Sequence, residues 1–331
     1  MIIVKTPLRI SFVGGGSDMK TFYERRDGMV VSTAIDKYVY AIVKERFDEM
    51  IYINYSKKEC VAQVADIQHD LVREAMTITG VEKGIEITTL ADIPSSGSGL
   101  GSSSSITVAL LHALHTYQNT LVTAEQLAME ACRIEIDLLG KPIGRQDQYA
   151  AAYGGINKFT FSKGGITARV PVQMGNAQKR KFASSLLLYY TGLTRSADTI
   201  LSRQTSNLAE ADKFDGMCRM VDLVDPFIEN MRHGHISGCG DLMAENWNLK
   251  QGVAAGISNP QIDEMYARAK SAGALAGKVA GAGGGGFLLL IVPRERQNEV
   301  FEALTDYREL PFMMEDSGSK VIFDDRSYPS K

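Results

Sequence analysis

The chain has 331 residues, enough for two ordinary domains. Hydrophobic residues make up 44% and charged residues 23%, and the formal net charge is −3 with both signs mixed along the chain. That balance offers no basic stripe to a nucleic-acid backbone and no polybasic segment to a membrane surface. Lys5 and Arg9 interrupt the opening apolar run too early for a secretory signal, and no window reaches transmembrane length. Cys60, Cys132, Cys218 and Cys239 have no metal spacing, and the five histidines form no HExxH. The expectation is a cytoplasmic protein with reduced thiols and no protein-built zinc site.

In chain order, extended segments at 2–4 and 8–13 flank Pro7 and run into Gly14, Gly15 and Gly16. Strands are expected at 39–44, 51–55 and 84–90, the last with Ile85 and Ile87 alternating like a half-buried face. A loop over 94–101 precedes an apolar helix over 102–117. A second helix starts at Thr123, which forms a capping box with Gln126, and runs to Leu139 before Gly140. A strand at 155–161 closes the first half, with a domain boundary placed near residue 160. The second half reads as a strand at 186–191 and helices over 197–232, 242–251 and 260–272. A glycine run at 281–286, a strand at 287–292, a helix at 295–307 and a strand at 320–323 follow. Clustered strands with helices between them predict two α+β domains, 1–160 and 161–331, with a site in the cleft between them.

The middle glycine cluster carries the most chemistry. It reads Pro94, Ser95, Ser96, Gly97, Ser98, Gly99, Leu100, Gly101, Ser102, Ser103, and runs directly into the apolar helix. Glycines let backbone approach a ligand, and a helix start offers unpaired N–H groups with a positive dipole end. Serines in the first turn add hydroxyls and a candidate Mg²⁺ ligand, so the segment reads as a phosphate cradle. It is not a Walker A loop, since no GxxxxGK[ST] occurs. A flexible Ser-Gly linker is the plain alternative. The 281–286 run matches GxGxxG formally, yet a strand rather than a helix follows it, so a dinucleotide fingerprint is not supported; a tight turn at a sheet edge fits equally.

Two acids need a reason. On a helix over 123–139, Glu135 shares a face with Ala124, Ala128, Ala131, Leu138 and Leu139, whereas Gln126, Glu130, Arg133 and Asp137 lie opposite. A carboxylate on the buried side needs a metal, a base or an N–H donor, or else it is half of a structural ion pair. Asp147 sits between glycines beside Arg145; it either caps a short helix or positions and deprotonates an attacking hydroxyl. Asp18 is a turn residue or an acceptor for ligand hydroxyls. His112 and His115 are read as packing residues.

These segments resemble the GHMP kinases, the superfamily of galactokinase, homoserine, mevalonate and phosphomevalonate kinases. Residues 7–18, PLRISFVGGGSD, resemble its first motif, residues 94–103 its second, and KVAGAGGGG from Lys278 its third, in the right order across nearly the whole chain. Within the superfamily the triple glycine, TAIDKY at 33–38, RQDQY at 145–149 and YTGLTRS at 190–196 are most similar to bacterial heptose 7-phosphate kinases. The resemblance implies an N-terminal ribosomal protein S5-like α/β domain, a C-terminal ferredoxin-like α+β domain, ATP and Mg²⁺ as cofactors, and a small sugar phosphate as acceptor. It implies that the backbone of 97–102 wraps the nucleotide phosphates and that Ser103 and Glu135 ligate Mg²⁺. Asp147 becomes base or hydroxyl positioner, Arg9 lies near the transferring group, and Asp18 holds sugar hydroxyls. Gly283 and Gly284 approach the substrate from the second domain. Gly15 and Gly16 stand where galactokinases carry Glu-His, which turns the expectation away from galactose and leaves room beside the sugar. Arg145, Arg195 and Lys37 are candidates for clamping a distal phosphate. A non-catalytic sugar sensor on the same fold and a nicotinamide oxidoreductase are the competing readings.

Overall fold

A computed structural model describes residues 1–94, 97–194 and 197–326. The first half runs β1 (Ile2–Val13), a short helix α1 (Lys20–Tyr23), β2 (Gly28–Glu45), β3 (Ile51–Asn54), β4 (Lys58–Val61), α2 (Asp70–Thr79), β5 (Ile85–Ala91) and α3 (Ser102–Tyr117). Next come α4 (Ala124–Cys132), a π-helical turn (Arg133–Leu138), α5 (Gln146–Tyr153), β6 (Ile156–Ser162) and β7 (Ile166–Pro171). The second half holds α6 (Asn176–Ala183), β8 (Leu186–Tyr190), α7 (Ala197–Asn207), α8 (Ala211–Asp222), α9 (Val224–His233), α10 (Ile236–Val253) and α11 (Pro260–Ser271). It ends with β9 (Ala276–Val279), β10 (Phe287–Ile291), α12 (Gln297–Ala303), β11 (Arg308–Glu309) and β12 (Lys320–Asp324).

The expected α+β architecture is present as two sheets. The larger follows the order β12-β1-β2-β5-β3-β4, with β6 on β2 and β7 on β6; the smaller follows β11-β8-β10-β9. Pro7 does not split the first strand. The register slips between Pro7 and Leu8, and such an irregularity is where a sheet tolerates a residue without an N–H. Strand β2 extends well beyond the expected 39–44. Its first half pairs with β6 and its second half with β5, while β1 runs along the other edge, so the strand is central throughout.

The larger sheet also continues past residue 160. β7 pairs with β6, and β12 returns to pair with β1, Ile2 opposite Asp324. Phe12 of β1 packs against Phe182 and Phe227 at ring separations of 5.2 and 5.6 Å, so one apolar core spans both halves. The chain therefore does not divide cleanly at residue 160. Among the described residues no helix is long and apolar enough to cross a membrane.

The apolar helix α3 lies on β1 and β2, burying Val108, Leu110, Leu111 and Leu114. Packing at that depth fixes its N-terminus rigidly above the sheet, with the glycine loop as its lead-in. From the other side, the loop over 281–286 descends between β9 and β10.

Candidate active site

The two glycine loops meet backbone to backbone. A side chain on Gly99 would collide with the Ala280 carbonyl, and a Cβ on Gly281 would sit 2.7 Å from the Gly99 carbonyl oxygen. Both residues have positive φ, 73° and 66°, so glycine is required twice over, for conformation and for approach. Gly101 (φ 79°) turns the chain into α3. There the serines divide their work: Ser105 Oγ donates to the Pro7 carbonyl at 2.8 Å, and Ser98 and Ser102 hydroxyls pair at 3.1 Å. Ser103 alone among them reaches across the cleft to an acid.

That acid is Glu135, fully buried, whose Oε1 accepts from Ser103 Oγ at 2.5 Å. Gln148 Nε2 donates to its other oxygen at 2.8 Å, and Lys141 Nζ lies 3.5 Å from Oε1. The helix is not regular here. α4 passes into the π turn at Arg133, and the wider turn rotates the following residues relative to an α-helical register. Glu135 stays inside, while Leu138, expected on the same buried face, is turned to solvent at 48% exposure. A hydroxyl and a carboxylate side by side form the hard oxygen pair that Mg²⁺ takes from protein when phosphate oxygens and water complete its shell, so the residues fit that ion.

Beside this pair, Arg9 of β1 and Asp147 of α5 form a bidentate ion pair, Nε to Oδ1 at 2.7 Å and Nη2 to Oδ2 at 2.5 Å. Arg9 Nη1 donates to the Gly99 carbonyl at 2.6 Å, tying the pair to the glycine loop. The Arg9 side chain is 4% exposed and that of Asp147 24%, so the carboxylate keeps an open side toward the cleft. Asp18 is buried. It accepts from the Gly16 and Gln146 backbone N–H groups at 2.9 and 3.1 Å, and burial, together with the Asp147 charge, holds its carboxyl above the ordinary value. Arg9, Asp18, Ser103, Glu135 and Asp147 thus line one cleft of about 310 Å³.

Two lysines approach from the second half, and sequence reasoning missed both as site residues. Lys250 of α10 donates to the Gly281 carbonyl at 2.7 Å and lines the cleft. Burial pushes its ammonium down to about 8, with Arg9 adding to the fall while Asp18 and Asp147 oppose it. Lys278 donates to the Ser11 carbonyl at 2.8 Å, and burial lowers it far below an ordinary lysine. A signal for Lys250 exists. Met243, Trp247, Lys250 and Val253 fall on one helical face, all buried, so a charge stands on the apolar side of α10 as Glu135 does on its own helix.

Several expected site residues lie elsewhere. Arg145 turns away from the cleft, donating to the Gly165 carbonyl and approaching Cys132 and Tyr149. Lys37 pairs with Asp36 at 2.9 Å on β2. Gly284 N–H is taken by the Ile257 carbonyl and a Cβ on Gly283 would meet the same oxygen, whereas Gly281 and Ala282 face the cleft. Nor do Gly15 and Gly16 leave open room: a Cβ on Gly15 would lie 3.3 Å from Ser11 Oγ, and one on Gly16 would overlap Gln204 Nε2. Ser95, Ser96 and Arg195 lie outside the described residues.

Residues 59–155 match the GHMP kinases N terminal domain and residues 227–309 the GHMP kinases C terminal domain. A D-glycero-alpha-D-manno-heptose 7-phosphate kinase from Campylobacter jejuni is 27% identical over 318 residues, covering 92% of this chain and 93% of that protein. A bifunctional fucokinase/GDP-fucose pyrophosphorylase from Arabidopsis thaliana is 28% identical over 92% of this chain, which spans 31% of that longer protein. The crystal structure of a D-glycero-D-manno-heptose 1-phosphate kinase from Bacteroides thetaiotaomicron superposes with a TM-score of 0.82 at 26% identity, covering 98% of this chain and 100% of that one. Both halves of the fold match one family, in order, and the chain belongs to the GHMP kinases.

Proposed function

We propose that this chain is an ATP-dependent sugar 1-kinase that phosphorylates the anomeric hydroxyl of D-glycero-D-manno-heptose 7-phosphate, giving the 1,7-bisphosphate used in GDP-heptose synthesis. The observation that carries the kinase reading is the Arg9–Asp147 pair locked to the glycine loop, 2.6 Å from the Gly99 carbonyl, at the mouth of the same cleft as Ser103 and Glu135. The heptose reading rests on the similarity to heptose phosphate kinases over the whole chain.

The chain's own groups account for most of what phosphoryl transfer asks of a protein, which is positioning and charge. The N-terminus of α3, with its unpaired N–H groups, receives the nucleotide phosphates. Ser103 and Glu135 would hold Mg²⁺, which supplies charge neutralisation on the phosphates when bound. Arg9 occupies two acceptor sites of Asp147, and a carboxylate offers about four, so the exposed side of Asp147 remains to orient the attacking hydroxyl and take its proton. Arg9 and Lys250 place two cations against the acids where negative charge gathers. Asp18, rigidly held by backbone N–H groups, accepts sugar hydroxyls.

A fucokinase-like activity is the second reading, favoured by the Arabidopsis relative. The discriminating experiment measures ADP release with ATP, Mg²⁺ and heptose 7-phosphate, free heptose, fucose or galactose at equal concentration, with phosphorus NMR of the product. The heptose 7-phosphate reading requires the highest kcat/KM on that sugar and a new phosphate on O1. A better rate on fucose or galactose, or a phosphate on another oxygen, refutes it.

A further inference from the structure

Gln204 stands on α7 with 1% of its surface exposed, and neither the amide nitrogen nor the carbonyl oxygen of its side chain has a hydrogen-bond partner among the described residues. Buried polar groups are almost always paired, so a buried amide with both ends unpaired calls for a partner. It faces the catalytic cleft. The position that a Cβ on Gly16 would take is filled by Gln204 Nε2, with Gln204 Cδ at 3.3 Å and Met217 Cε at 3.1 Å. The same Gly16 donates its N–H to Asp18 Oδ1 at 2.9 Å. One glycine thus holds a carboxylate on its backbone and makes room for a carboxamide over its Cα, and with φ at 105° it is a residue no side chain suits.

A primary amide presents a donor and an acceptor side by side in one plane. Two neighbouring hydroxyls on a sugar ring present the complementary pair, whereas a single isolated hydroxyl satisfies only one end. We propose that Gln204 is a specificity-determining contact that binds two adjacent hydroxyls of the acceptor sugar, Nε2 donating to one oxygen and Oε1 accepting from the other, across Gly16 from Asp18. This rests on the sugar-kinase reading above and adds to it the group that distinguishes polyhydroxylated acceptors from others. It also gives the glycine at 16 a different purpose: the space it frees is occupied by an amide from the second half of the chain.

The test uses the full chain with ATP and Mg²⁺, taking as acceptor whichever of heptose 7-phosphate, fucose or galactose it phosphorylates best. Gln204→Met keeps the size and removes both polar ends; Gln204→Ala is the second variant. Both should raise the acceptor KM roughly tenfold to a hundredfold, leaving the ATP KM within about twofold and the melting temperature unchanged or higher. Among monodeoxy analogues of that sugar, two at adjacent positions should be poor substrates for the unaltered chain and suffer no further loss in Gln204→Met. An unchanged acceptor KM, or losses that strike ATP equally with no deoxy pair singled out, overturns the contact while the kinase reading stands. No turnover of any of the sugars by the unaltered chain overturns both.

Discussion

Lys250 should make stability and activity of the unaltered chain respond to pH in opposite ways, a dependence that replacement by methionine removes, and the structure sets the size of the effect. In the folded chain burial lowers the ammonium from 10.5 to about 8. Between those values the unfolded chain keeps a proton on Lys250 that the folded chain has released, so unfolding takes up a proton and folded stability rises with pH. One pH unit is worth about 1.4 kcal/mol for a single proton, so the window from 8 to 10.5 is worth about 3 kcal/mol. Below pH 8 that amount is the cost of keeping the charge buried. Lys250→Met removes the dependence, and groups titrating alike in both proteins cancel in the difference. Urea unfolding, followed by the fluorescence of the chain's single tryptophan, Trp247, which is 1% exposed, should therefore give a wild-type-minus-variant free energy that is level from pH 6.5 to 7.5. It should then climb by up to about 3 kcal/mol toward pH 10.5. Activity should move the other way. Wild-type kcat/KM falls above about pH 8 as the free enzyme loses this cation, while the variant is slower throughout and lacks that limb. A difference in stability that stays flat across pH 8–10 refutes the buried-ammonium account.

Asp147→Asn should lower kcat by roughly 10²–10⁴ with ATP affinity nearly intact, as expected of a lost general base, measured by steady-state turnover and nucleotide titration. More than about a tenth of wild-type kcat would remove Asp147 from that role. Ser103→Ala and Glu135→Gln should each shift the Mg²⁺ concentration for half-maximal rate upward; a fall in melting temperature with an unchanged Mg²⁺ titration leaves Glu135 as a structural partner of Ser103, Lys141 and Gln148. Thr123 Oγ1 accepts from the Gln126 N–H at 3.1 Å, so Thr123→Ala should cost about 1 kcal/mol in thermal unfolding without touching turnover.

What could be read from sequence was local. The lead-in loop and α3 follow from glycines, serines and an unbroken apolar run, and the structure starts and ends that helix at the expected residues, Ser102 and Tyr117. Glu135 was visible as a charge on the wrong face, and its three partners in the structure supply the reason. The π turn beneath it was not legible, because a one-residue widening leaves no compositional mark, and Leu138 was misplaced accordingly. Arg145 looked like a phosphate ligand because its neighbours in sequence belong to the site; its side chain leaves the segment toward Gly165 instead. Lys250 and Gln204 come from helices far along the chain, and their positions depend on how the second half packs over the first glycine loop. The long-range pairing of β12 with β1 follows from tertiary contact that a local pattern does not encode.

The return of β12 has a consequence for how the molecule comes into being. Thr6 and Ser319 share a hydrogen bond at 2.7 Å although 313 residues separate them, and β12 covers the edge of the strand that carries Arg9. A ribosome-bound chain that has finished β10 still lacks one border of its phosphate-binding sheet. Contacts so distant in sequence form late and slowly. Until β12 arrives, β1 exposes a bare edge able to zip onto another nascent copy. Proteolytic fragments that keep 1–171 and lose β12 inherit the same open border, so they are expected to self-associate rather than persist as a separate nucleotide-binding module.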